Sequence, residues 1–452
     1  MSDTLMVSVS GVRGLVGTDL TPEVVARWAA AFGSWATTRK RKPVVVGRDA
    51  RTSGPMFARA AAAGLNSVGC DVIDLGLVAT PTVQLAVEHH RAAGGIILTA
   101  SHNPIEWNAL KFVGPDGIFL DTGAGAQVRA LASGESLPRA SYDAIGDVAA
   151  DADAISRHLA GVLALRKVDV RAIRRRRFRV ALDTVRGAGG AVMPELLERL
   201  GCRVSAINLA TDGLFPRPPE PVPENLKALG ALVRRTHADI GIAVDPDVDR
   251  LAIVDERGRP IGEDYTLAFA IRAVRPSSRQ TVVCNLSTSL VVDDAAREFG
   301  ARVVRAPVGE AHVARKIIEL KAVIGGEGNG GVMYPALHVG RDAPVAGALV
   351  LALLARERAT VSEVVARAPR YTIVKAKVGR GPRLEPVFEG LRRAFPDAAG
   401  DAQDGLRLAW SDRWLHVRPS GTEPIIRLIA EAPARADAER LIEEGRRLCA
   451  AS

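Results

Sequence analysis

The stretch "FRVALDTVRGAGGAVMPELLERLGCRVSAINL", from Phe178 to Leu209, decides the fold. It starts with an apolar run, continues with an amphipathic helical pattern and, after Gly201, ends in a second apolar run. Gly201 stands where a helix ends, because glycine adopts the left-handed backbone of that position without a steric penalty. The order strand, helix, strand predicts one unit of an α/β domain with a parallel sheet.

The same plan occurs twice more in the chain. Residues 42–76 and residues 280–309 each show an apolar run, an amphipathic pattern, a glycine (Gly69 or Gly300) and a second apolar run. Copies this far apart indicate repeated domains rather than the stacked units of a solenoid. The sequence therefore predicts three similar α/β domains with mixed, mainly parallel sheets.

The C-terminal part follows a different plan. From Tyr371 onward, alternating apolar segments precede one closing helix, which indicates a smaller α+β domain with a largely antiparallel sheet. Together with the length of 452 residues, these patterns predict four domains. We place their boundaries at 1–149, 150–254, 255–367 and 368–452.

Composition argues against several classes of protein. Hydrophobic residues at 47% and charged residues at 25% are typical of a globular protein. The net charge of +9 suits small anionic substrates, and the arginine-rich run 174–179 lacks the interleaved aromatic residues of a base-stacking surface. The four cysteines are far apart, so we expect neither zinc nor disulfides, and a cytoplasmic location. No signal peptide and no apolar stretch of about 18 residues are visible, so we expect no membrane association.

Ser101 is the first candidate catalytic residue. In "GGIILTASHNPIEWNALKF" an apolar strand runs directly into Ser101, His102, Asn103 and Pro104. A turn alone needs no hydroxyl here, so the serine is a candidate for chemistry. A Ser-His-Asp hydrolase is one interpretation, but the GxSxG elbow is missing, and an adjacent histidine would point away from the serine. A serine that carries a phosphoryl group is the other interpretation, and it fits the remaining motifs better.

Three aspartates form a candidate metal site in "IGIAVDPDVDRLAIVDERG". Asp245, Asp247 and Asp249 follow an apolar strand at a spacing of two, so an extended backbone would point all three carboxylates to one side. Such a cluster calls for a cation, and oxygen ligands suit Mg²⁺ or Ca²⁺. We reject an EF-hand because Arg250 stands where the calcium loop needs glycine. A polar turn without a metal is the remaining alternative.

Two further loops have the composition of ligand-binding sites. In "GGEGNGGVM" glycines surround Glu327 and Asn329, which allows a close backbone approach and supplies hydrogen bonds. In "HVRPSGTEPIIR" a guanidinium fork, two hydroxyls and a permissive backbone form a candidate phosphate cradle. Its members are Arg418, Ser420, Gly421 and Thr422. Ordinary turns are the alternative for both loops, and for the arginine-containing loops "SGVRG" and "GRDARTSG".

The motifs "TASHNP", "DPDVDR", "GEGNGG" and "RPSGTEP", in this order and over nearly the whole chain, resemble those of the α-D-phosphohexomutase family. The resemblance implies four domains around a central cleft, the first three alike. It also implies that Ser101 is a phosphoserine, and that Asp245, Asp247 and Asp249 hold Mg²⁺ together with an oxygen of that phosphate.

The resemblance implies roles for the other candidates as well. Arg13, Lys111 and Arg250 would bind the reacting phosphoryl group, whereas Glu327 and Asn329 would recognise sugar hydroxyls. The residues that would hold the non-reacting phosphate are Arg418, Ser420, Gly421, Thr422 and Arg427.

The general acid/base is less clearly indicated. Several family members have a histidine, a candidate for this role, where this chain has Gly331. His338 is the nearest replacement, and Lys111 could share the role. A structural loop histidine is an equally good interpretation of His338.

The implied reaction moves a phosphoryl group between O6 and O1 of a hexose phosphate through a bound 1,6-bisphosphate, which also serves as activator. The "SVSGVRG" start, "GEGNGG" and "VGRDA" resemble the phosphoglucosamine mutase branch most, so glucosamine 6-phosphate is the expected substrate. Phosphoglucomutase/phosphomannomutase activity, a metal-dependent sugar phosphatase and a non-catalytic sugar-phosphate sensor are the alternatives. The expected partner is a small phosphosugar, with no nucleic acid and no membrane, and the expected state is a monomer or homodimer.

Overall fold

The structure is a computed structural model that describes residues 5–8, 11–37, 42–379, 383–420 and 425–450. These residues form four β-sheets, which follow one another along the chain and pack against helices. The first three sheets are mixed, and the fourth is antiparallel throughout. The predicted fold class, three similar α/β domains and a C-terminal α+β domain around a central cleft, is confirmed.

The described residues of the first domain form seven strands and four helices. The strands are β1 (Met6–Ser8), β2 (Gly11–Leu15), β3 (Val44–Arg48), β4 (Val72–Leu77), β5 (Gly94–Leu98), β6 (Trp107–Val113) and β7 (Val148–Ala150). The helices are α1 (Pro22–Ala36), α2 (Gly54–Asn66), α3 (Thr80–His89) and α4 (Thr122–Ser133). The sheet order is β1-β2-β6-β5-β3-β4-β7, and the strands from β5 to β7 run parallel. All of β5 is buried, which explains its uninterrupted apolar run.

The second domain contains the opening stretch. Its helices are α5 (Ala154–Ala164), α6 (Val170–Arg176), α7 (Gly189–Arg199) and α8 (Lys227–Thr236), with a 3₁₀ helix at Pro223–Asn225. Its strands are β8 (Arg179–Asp183), β9 (Arg203–Ile207), β10 (Ile240–Val244) and β11 (Leu251–Val254), in the order β11-β10-β8-β9. The stretch forms β8, α7 and β9, the two strands pair in parallel, and Gly201 has φ +75°. The predicted strand–helix–strand unit is therefore confirmed.

The third domain has five strands and five helices. The helices are α9 (Asp264–Val274), α10 (Val291–Arg297), α11 (Glu310–Leu320), α12 (Ala343–Glu357) and α13 (Val361–Ala366). The strands are β12 (Thr281–Asn285), β13 (Arg302–Ala306), β14 (Ile324–Glu327), β15 (Gly331–Tyr334) and β16 (His338–Arg341). The sheet order is β13-β12-β14-β15-β16, with parallel pairing on both sides of β12.

The fourth domain is built around one antiparallel sheet. Its strands are β17 (Thr372–Gly379), β18 (Ala399–Asp401), β19 (Leu406–Ala409), β20 (Trp414–Pro419) and β21 (Ile425–Ala432), in the order β17-β21-β20-β19-β18. Its helices are α14 (Glu385–Ala394) and α15 (Arg435–Ala450). Apolar residues of both helices and one face of the sheet form a separate core.

The largest apolar core is shared by the second and third domains. It includes residues of α5, α7, β8 and β10 together with residues of α9, β12 and α12. Residues 343–355 of α12 are all buried, so this helix lies inside the shared core. Because one core supports both domains, the loop after β10 and the loop after β14 have fixed positions relative to each other.

The predicted boundaries at 149/150, 254/255 and 367/368 stay predictions. Among the described residues, no helix combines the length and the apolar character that crossing a membrane requires.

Candidate active site

Ser101 lies just beyond the carboxyl end of β5 and is 3% exposed. Its φ of +50° falls in the left-handed region, which residues other than glycine rarely adopt. The hydroxyl of Thr99 accepts a hydrogen bond from the backbone N–H of Ser101 at 2.9 Å. Ser101 Oγ donates to Oδ2 of Asp245 at 3.2 Å, so the serine of the first domain meets the aspartate cluster of the second.

The segment that carries Ser101, residues 99–107 (the serine loop), is held by Arg51, which is fully buried. The guanidinium donates to four backbone carbonyls at 2.6–2.8 Å, those of Ser101, Asn103, Pro104 and Trp107. Its Nε is 3.2 Å from Oδ2 of Asp49, the oxygen that also accepts from the hydroxyl of Thr99 at 2.6 Å. A planar guanidinium has five N–H donors and can bind several acceptors at once, whereas an ammonium group has only three donors. Arg51 therefore fixes the backbone on which Ser101 stands.

The three aspartates lie in a turn that follows β10. Val248 has φ +62°, so the backbone here is not the extended one that we predicted. The turn still brings the carboxylates of Asp245, Asp247 and Asp249 together, with ligand oxygens within 4.8 Å of one another, and all three residues are buried. Burial, and then the charges of Asp249 and Asp247, raise the pKa of Asp245 well above its ordinary value.

The donor set of this cluster fits a divalent cation. Among the described residues, Oδ1 of Asp247 and Oδ1 of Asp249 are buried and accept no hydrogen bond. Buried carboxylate oxygens without a partner are costly, and a hard cation with oxygen ligands would satisfy them. Asp245, Asp247 and Asp249 could therefore hold Mg²⁺.

Cationic side chains surround the cluster. Lys111 Nζ is 2.8 Å from Oδ2 of Asp247. Burial acts to raise the pKa of Asp247, but the Lys111 ammonium and its hydrogen bond lower it below the ordinary value. The Arg250 Nε lies 3.7 Å from Oδ1 of Asp249, and its Nη1 lies 3.4 Å from the carboxylate of Glu220. Positive charge is thus concentrated beside the aspartates, where a phosphoryl group would need it.

Arg13 approaches the same region from β2. Its Nη1 donates to Oδ1 of Asn103 in the serine loop at 2.7 Å. Arg13, Lys111 and Arg250 come from different parts of the sequence. The structure brings all three to the serine and aspartate loops.

The glycine-rich loop begins at the end of β14, where Glu327 is buried. The carboxylate of Glu327 accepts from four groups: Asn285 Nδ2 at 2.8 Å, the Gly309 N–H at 3.1 Å, Arg341 Nη1 at 2.7 Å and Asn329 Nδ2 at 3.5 Å. Asn329 is only partly buried, and its Oδ1 accepts from the Gly331 N–H at 3.2 Å. Of the two predicted sugar-binding residues, Asn329 is therefore the more accessible.

The candidate phosphate cradle lies between β20 and β21. Arg418 and Arg427 are paired in register on these strands, which places two guanidinium groups at one end of the sheet. Arg418 Nε is 2.8 Å from Oδ2 of Asp404, and the Ser420 N–H donates to the carbonyl of Ile425 at 2.9 Å. The other two predicted members, Gly421 and Thr422, lie outside the described residues.

Comparison with known proteins accounts for nearly all of the chain. The family models for α/β/α domains I, II and III of phosphoglucomutase/phosphomannomutase match residues 5–138, 156–258 and 262–371. The model for the C-terminal domain of the same family matches residues 374–448.

Relatives match over the whole length. A phosphoglucomutase/phosphomannomutase of Thermococcus kodakarensis is 40% identical, over 97% of each chain. The chain belongs to the α-D-phosphohexomutase family. A probable phosphoglucosamine mutase of Methanopyrus kandleri is 38% identical, over 96% of this phosphohexomutase and 95% of the relative. The crystal structure of a family protein from Burkholderia thailandensis superposes with a TM-score of 0.85 at 27% identity, covering 98% and 97% of the two chains. The protein is therefore an enzyme of the mutase type, an isomerase.

We expected His102 of this phosphohexomutase to point away from Ser101, but it points towards it. Its Nδ1 lies 3.3 Å from Ser101 Oγ, because the left-handed backbone at Ser101 turns the chain between the two residues. The charge of Arg250, followed by burial and the charge of Arg13, lowers the pKa of His102 to about 2. A histidine that stays neutral at pH 7 and binds protons this weakly is a poor general base, which argues against the hydrolase.

His338 has a different environment. It is buried, and its Nε2 lies 2.9 Å from Oδ2 of Asp342. His158 of the second domain contacts the same oxygen at 2.8 Å, and Asp342 caps the N-terminus of α12 through Oδ1. These contacts favour the structural interpretation of His338 over the general acid/base.

Sequence reasoning missed three contributors to the phosphohexomutase site, namely Arg51, Glu220 and Arg341. Arg51 lies in "GRDARTSG", a loop that the sequence marked without a role, and Arg341 lies in "VGRDA". Glu220 lies in a proline-rich loop of the second domain, where nothing distinguishes it from a solvent-exposed acid. The contacts that bring them to the site span 50 residues for Arg51 and Ser101, 30 for Glu220 and Arg250, and 92 for Arg341 and Asp249, so no local pattern could indicate them.

Proposed function

We propose that this phosphohexomutase moves a phosphoryl group between O6 and O1 of a hexose phosphate through a phosphorylated Ser101. The observation that carries the proposal is the 3.2 Å contact of Ser101 Oγ with a buried aspartate cluster in which, among the described residues, two carboxylate oxygens accept no hydrogen bond. A hydroxyl in that position is surrounded by the groups that a phosphoryl transfer requires.

Each half-reaction exchanges one oxygen–phosphorus bond for another. The free sugar hydroxyl attacks the phosphorus on Ser101, the new bond to the sugar oxygen forms, and the bond to Ser101 Oγ breaks. For the proton transfers we propose Lys111, whose ammonium lies 2.8 Å from Asp247: it gives a proton to Ser101 Oγ as the bond to phosphorus breaks, and it accepts the proton of the sugar hydroxyl in exchange. The product of this step is a hexose 1,6-bisphosphate. Reorientation in the cleft then presents the other phosphoryl group, which returns to Ser101, and added 1,6-bisphosphate would activate the enzyme by phosphorylating the serine.

The chain's own residues position and neutralise the transferring group. Asp245, Asp247 and Asp249 would hold Mg²⁺, which when bound supplies positive charge at the oxygens of the phosphoryl group. Arg250, beside Asp249, and Arg13, beside Asn103 of the serine loop, supply further charge. We propose that Asn329 and Glu327 recognise sugar hydroxyls. For the non-reacting phosphate we propose Arg418, Ser420 and Arg427, together with Gly421 and Thr422.

We propose glucosamine 6-phosphate as the substrate. A cavity of about 600 Å³ lies between the second, third and fourth domains, and Glu220 connects it to Arg250. Its acidic lining residues are Glu220, Glu224, Glu263, Asp264 and Glu431, and its basic ones are Lys375 and Arg435. Burial raises the pKa of Asp264 to about 8, so this carboxyl is mostly neutral at pH 7 and the acidic excess rests on the four glutamates. That excess favours a sugar that carries an ammonium group, and the volume suits a small ligand. The Methanopyrus relative named as a probable phosphoglucosamine mutase supports the same choice. The Thermococcus relative instead favours phosphoglucomutase/phosphomannomutase activity as the second candidate.

The substrate is tested with a coupled assay containing Mg²⁺ and a trace of the matching 1,6-bisphosphate. Glucosamine 6-phosphate, glucose 1-phosphate and mannose 1-phosphate are compared by kcat/KM. We expect the amino sugar to be preferred by at least about tenfold, the scale at which one substituent is discriminated. Equal rates on the neutral sugars would identify a broad phosphohexomutase. Release of inorganic phosphate as the main product would identify a sugar phosphatase.

Asp247→Asn is expected to lower kcat by roughly 100-fold and to raise the Mg²⁺ concentration for half-maximal activity by more than about tenfold. The substitution removes a charged ligand and the partner of Lys111. The measurement is the initial rate as a function of Mg²⁺ concentration. Asp153→Asn is the matched control, since Asp153 is exposed and makes no side-chain cap for α5. An unchanged Mg²⁺ dependence of the Asp247 variant would remove this aspartate from the metal site.

A further inference from the structure

Arg341 connects the aspartate cluster to the glycine-rich loop. It ends β16, is buried, and makes ion pairs with three buried carboxylates. Its Nη2 lies 2.5 Å from Oδ2 of Asp249, its Nη1 lies 2.7 Å from Oε2 of Glu327, and its Nε lies 3.1 Å from Oε2 of Glu310. The backbone N–H of Arg341 also donates to Oε1 of Glu310 at 3.2 Å. Every nitrogen of the guanidinium therefore has its own carboxylate.

The two carboxylate oxygens of Asp249 have different surroundings. Arg341 takes Oδ2, and Oδ1 is the buried oxygen without a described hydrogen-bond partner. The guanidinium therefore holds Oδ2 and leaves Oδ1, 3.7 Å from the Nε of Arg250, as the oxygen that can contact a cation. On the other side, the same guanidinium holds Oε2 of Glu327 at the start of the glycine-rich loop.

Gly331 makes this arrangement possible. A Cβ atom at position 331 would lie 2.2 Å from Cδ and 2.9 Å from Cγ of Arg341. Both are stem atoms of a side chain whose head is held by three carboxylates, so the stem has little freedom to move aside. Arg341 of β16 is paired with Met333 of β15, and its stem passes beside Gly331, two residues earlier on β15, so the space next to Gly331 is already filled by the stem.

We propose that Arg341 is a positioning residue that holds Asp249 and Glu327 in one fixed arrangement, and that Gly331 is required because it leaves room for the Arg341 stem. The inference rests on the proposed function in one respect, namely that Asp249 is a metal ligand. It explains why this chain has no side chain at position 331. It also means that one guanidinium group holds both the metal site and the glycine-rich loop.

The Mg²⁺ affinity of the enzyme without sugar distinguishes positioning from a simple charge effect. If Arg341 only neutralised charge, its removal would make the site more negative and strengthen Mg²⁺ binding. If it orients Asp249, its removal weakens Mg²⁺ binding, by about tenfold or more, as is typical for groups that orient metal ligands. The two roles therefore predict changes of opposite sign.

The experiment is calorimetric titration of the full-length enzyme with Mg²⁺, carried out on Arg341→Ala, Arg341→Lys, Gly331→Ala and the double variant Gly331→Ala/Arg341→Ala. We expect weaker binding in both alanine variants and an intermediate loss in Arg341→Lys, which keeps the charge and offers one head group. The double variant should be no weaker than Arg341→Ala alone, because the clash disappears with the stem. Gly400→Ala is the matched control, since its Cβ would meet no atom closer than 3.9 Å.

The results separate this inference from the proposed function. If Asp247→Asn binds Mg²⁺ as tightly as the wild type, the cluster is not the metal site, and both the proposed function and this inference fail. If Asp247→Asn abolishes Mg²⁺ binding but the Arg341 variants bind as tightly as the wild type or more tightly, only the inference fails. Arg341→Lys retains the charge, so it keeps the test decisive if Arg341→Ala does not fold. Losses that simply add in the double variant would contradict the role of Gly331.

Discussion

Ser101→Ala is expected to lower kcat by more than about 1,000-fold, because transfer through a covalently held phosphoryl group has no substitute once its carrier oxygen is gone. The dissociation constant for glucosamine 6-phosphate should change by less than about threefold, since the groups proposed to bind the substrate remain. The rate is measured in the coupled assay, and binding is measured by calorimetry. A variant with near-normal turnover would contradict the covalent mechanism.

A mass measurement gives an independent readout of the same prediction. Incubation with a hexose 1,6-bisphosphate should add one phosphoryl group to the wild-type chain and none to Ser101→Ala. The matched control is Ser136→Ala, because Ser136 is an exposed serine of the same domain. Phosphorylation of the Ser101 variant to the wild-type level would place the phosphoryl group on another residue.

The features that the sequence predicted correctly are those written in local patterns. The apolar runs, amphipathic patterns and C-terminal glycines of the three repeats each lie within about 30 residues, so periodicity alone indicated the α/β units. Ser101 and Asp245 were found in the same way, because polar residues directly after a buried strand stand out. Their roles remain proposals, although the structure places their side chains 3.2 Å apart.

The residues that organise the site could not be predicted, because their partners come from distant parts of the chain. Arg51 contacts the carbonyl of Ser101 across 50 residues, and Arg341 contacts Asp249 across 92 residues. An arginine in a short loop looks the same in the sequence whether it is exposed or buried. Only tertiary packing, which removes these guanidinium groups from water, gives them their importance.

Unusual backbone conformations were the second reason why parts of the site could not be predicted from the sequence. Val248 has a positive φ although it is β-branched, and this turn replaces the extended segment that the alternating aspartates suggested. The prediction that the carboxylates converge agrees with the structure, but the reason differs. At Ser101 the left-handed backbone likewise brings His102 towards the hydroxyl, which the alternation of side chains in a strand does not allow.

Arg51→Met is expected to destabilise the first domain by about 4 kcal/mol or more and to lower kcat by roughly 100-fold. The substitution keeps the length of the stem but leaves the buried carboxylate of Asp49 without its guanidinium. It also leaves four carbonyls of the serine loop without their donor. The strained backbone at Ser101 then relaxes, and its hydroxyl moves away from Asp245. Stability is measured by thermal denaturation followed by calorimetry, and kcat in the coupled assay.

Two further variants decide whether the loss comes from the hydrogen-bond fan. Arg51→Lys keeps the positive charge beside Asp49 but reaches few of the carbonyls, so we expect it to recover part of the stability and little of kcat. Arg59→Met is the matched control, because Arg59 is an exposed residue of α2 in the same domain. If Arg51→Lys recovers kcat fully, the charge beside Asp49 is sufficient and the fan of donors is not what positions Ser101. If it recovers stability without kcat, the geometry of the serine loop is what Arg51 contributes to the reaction.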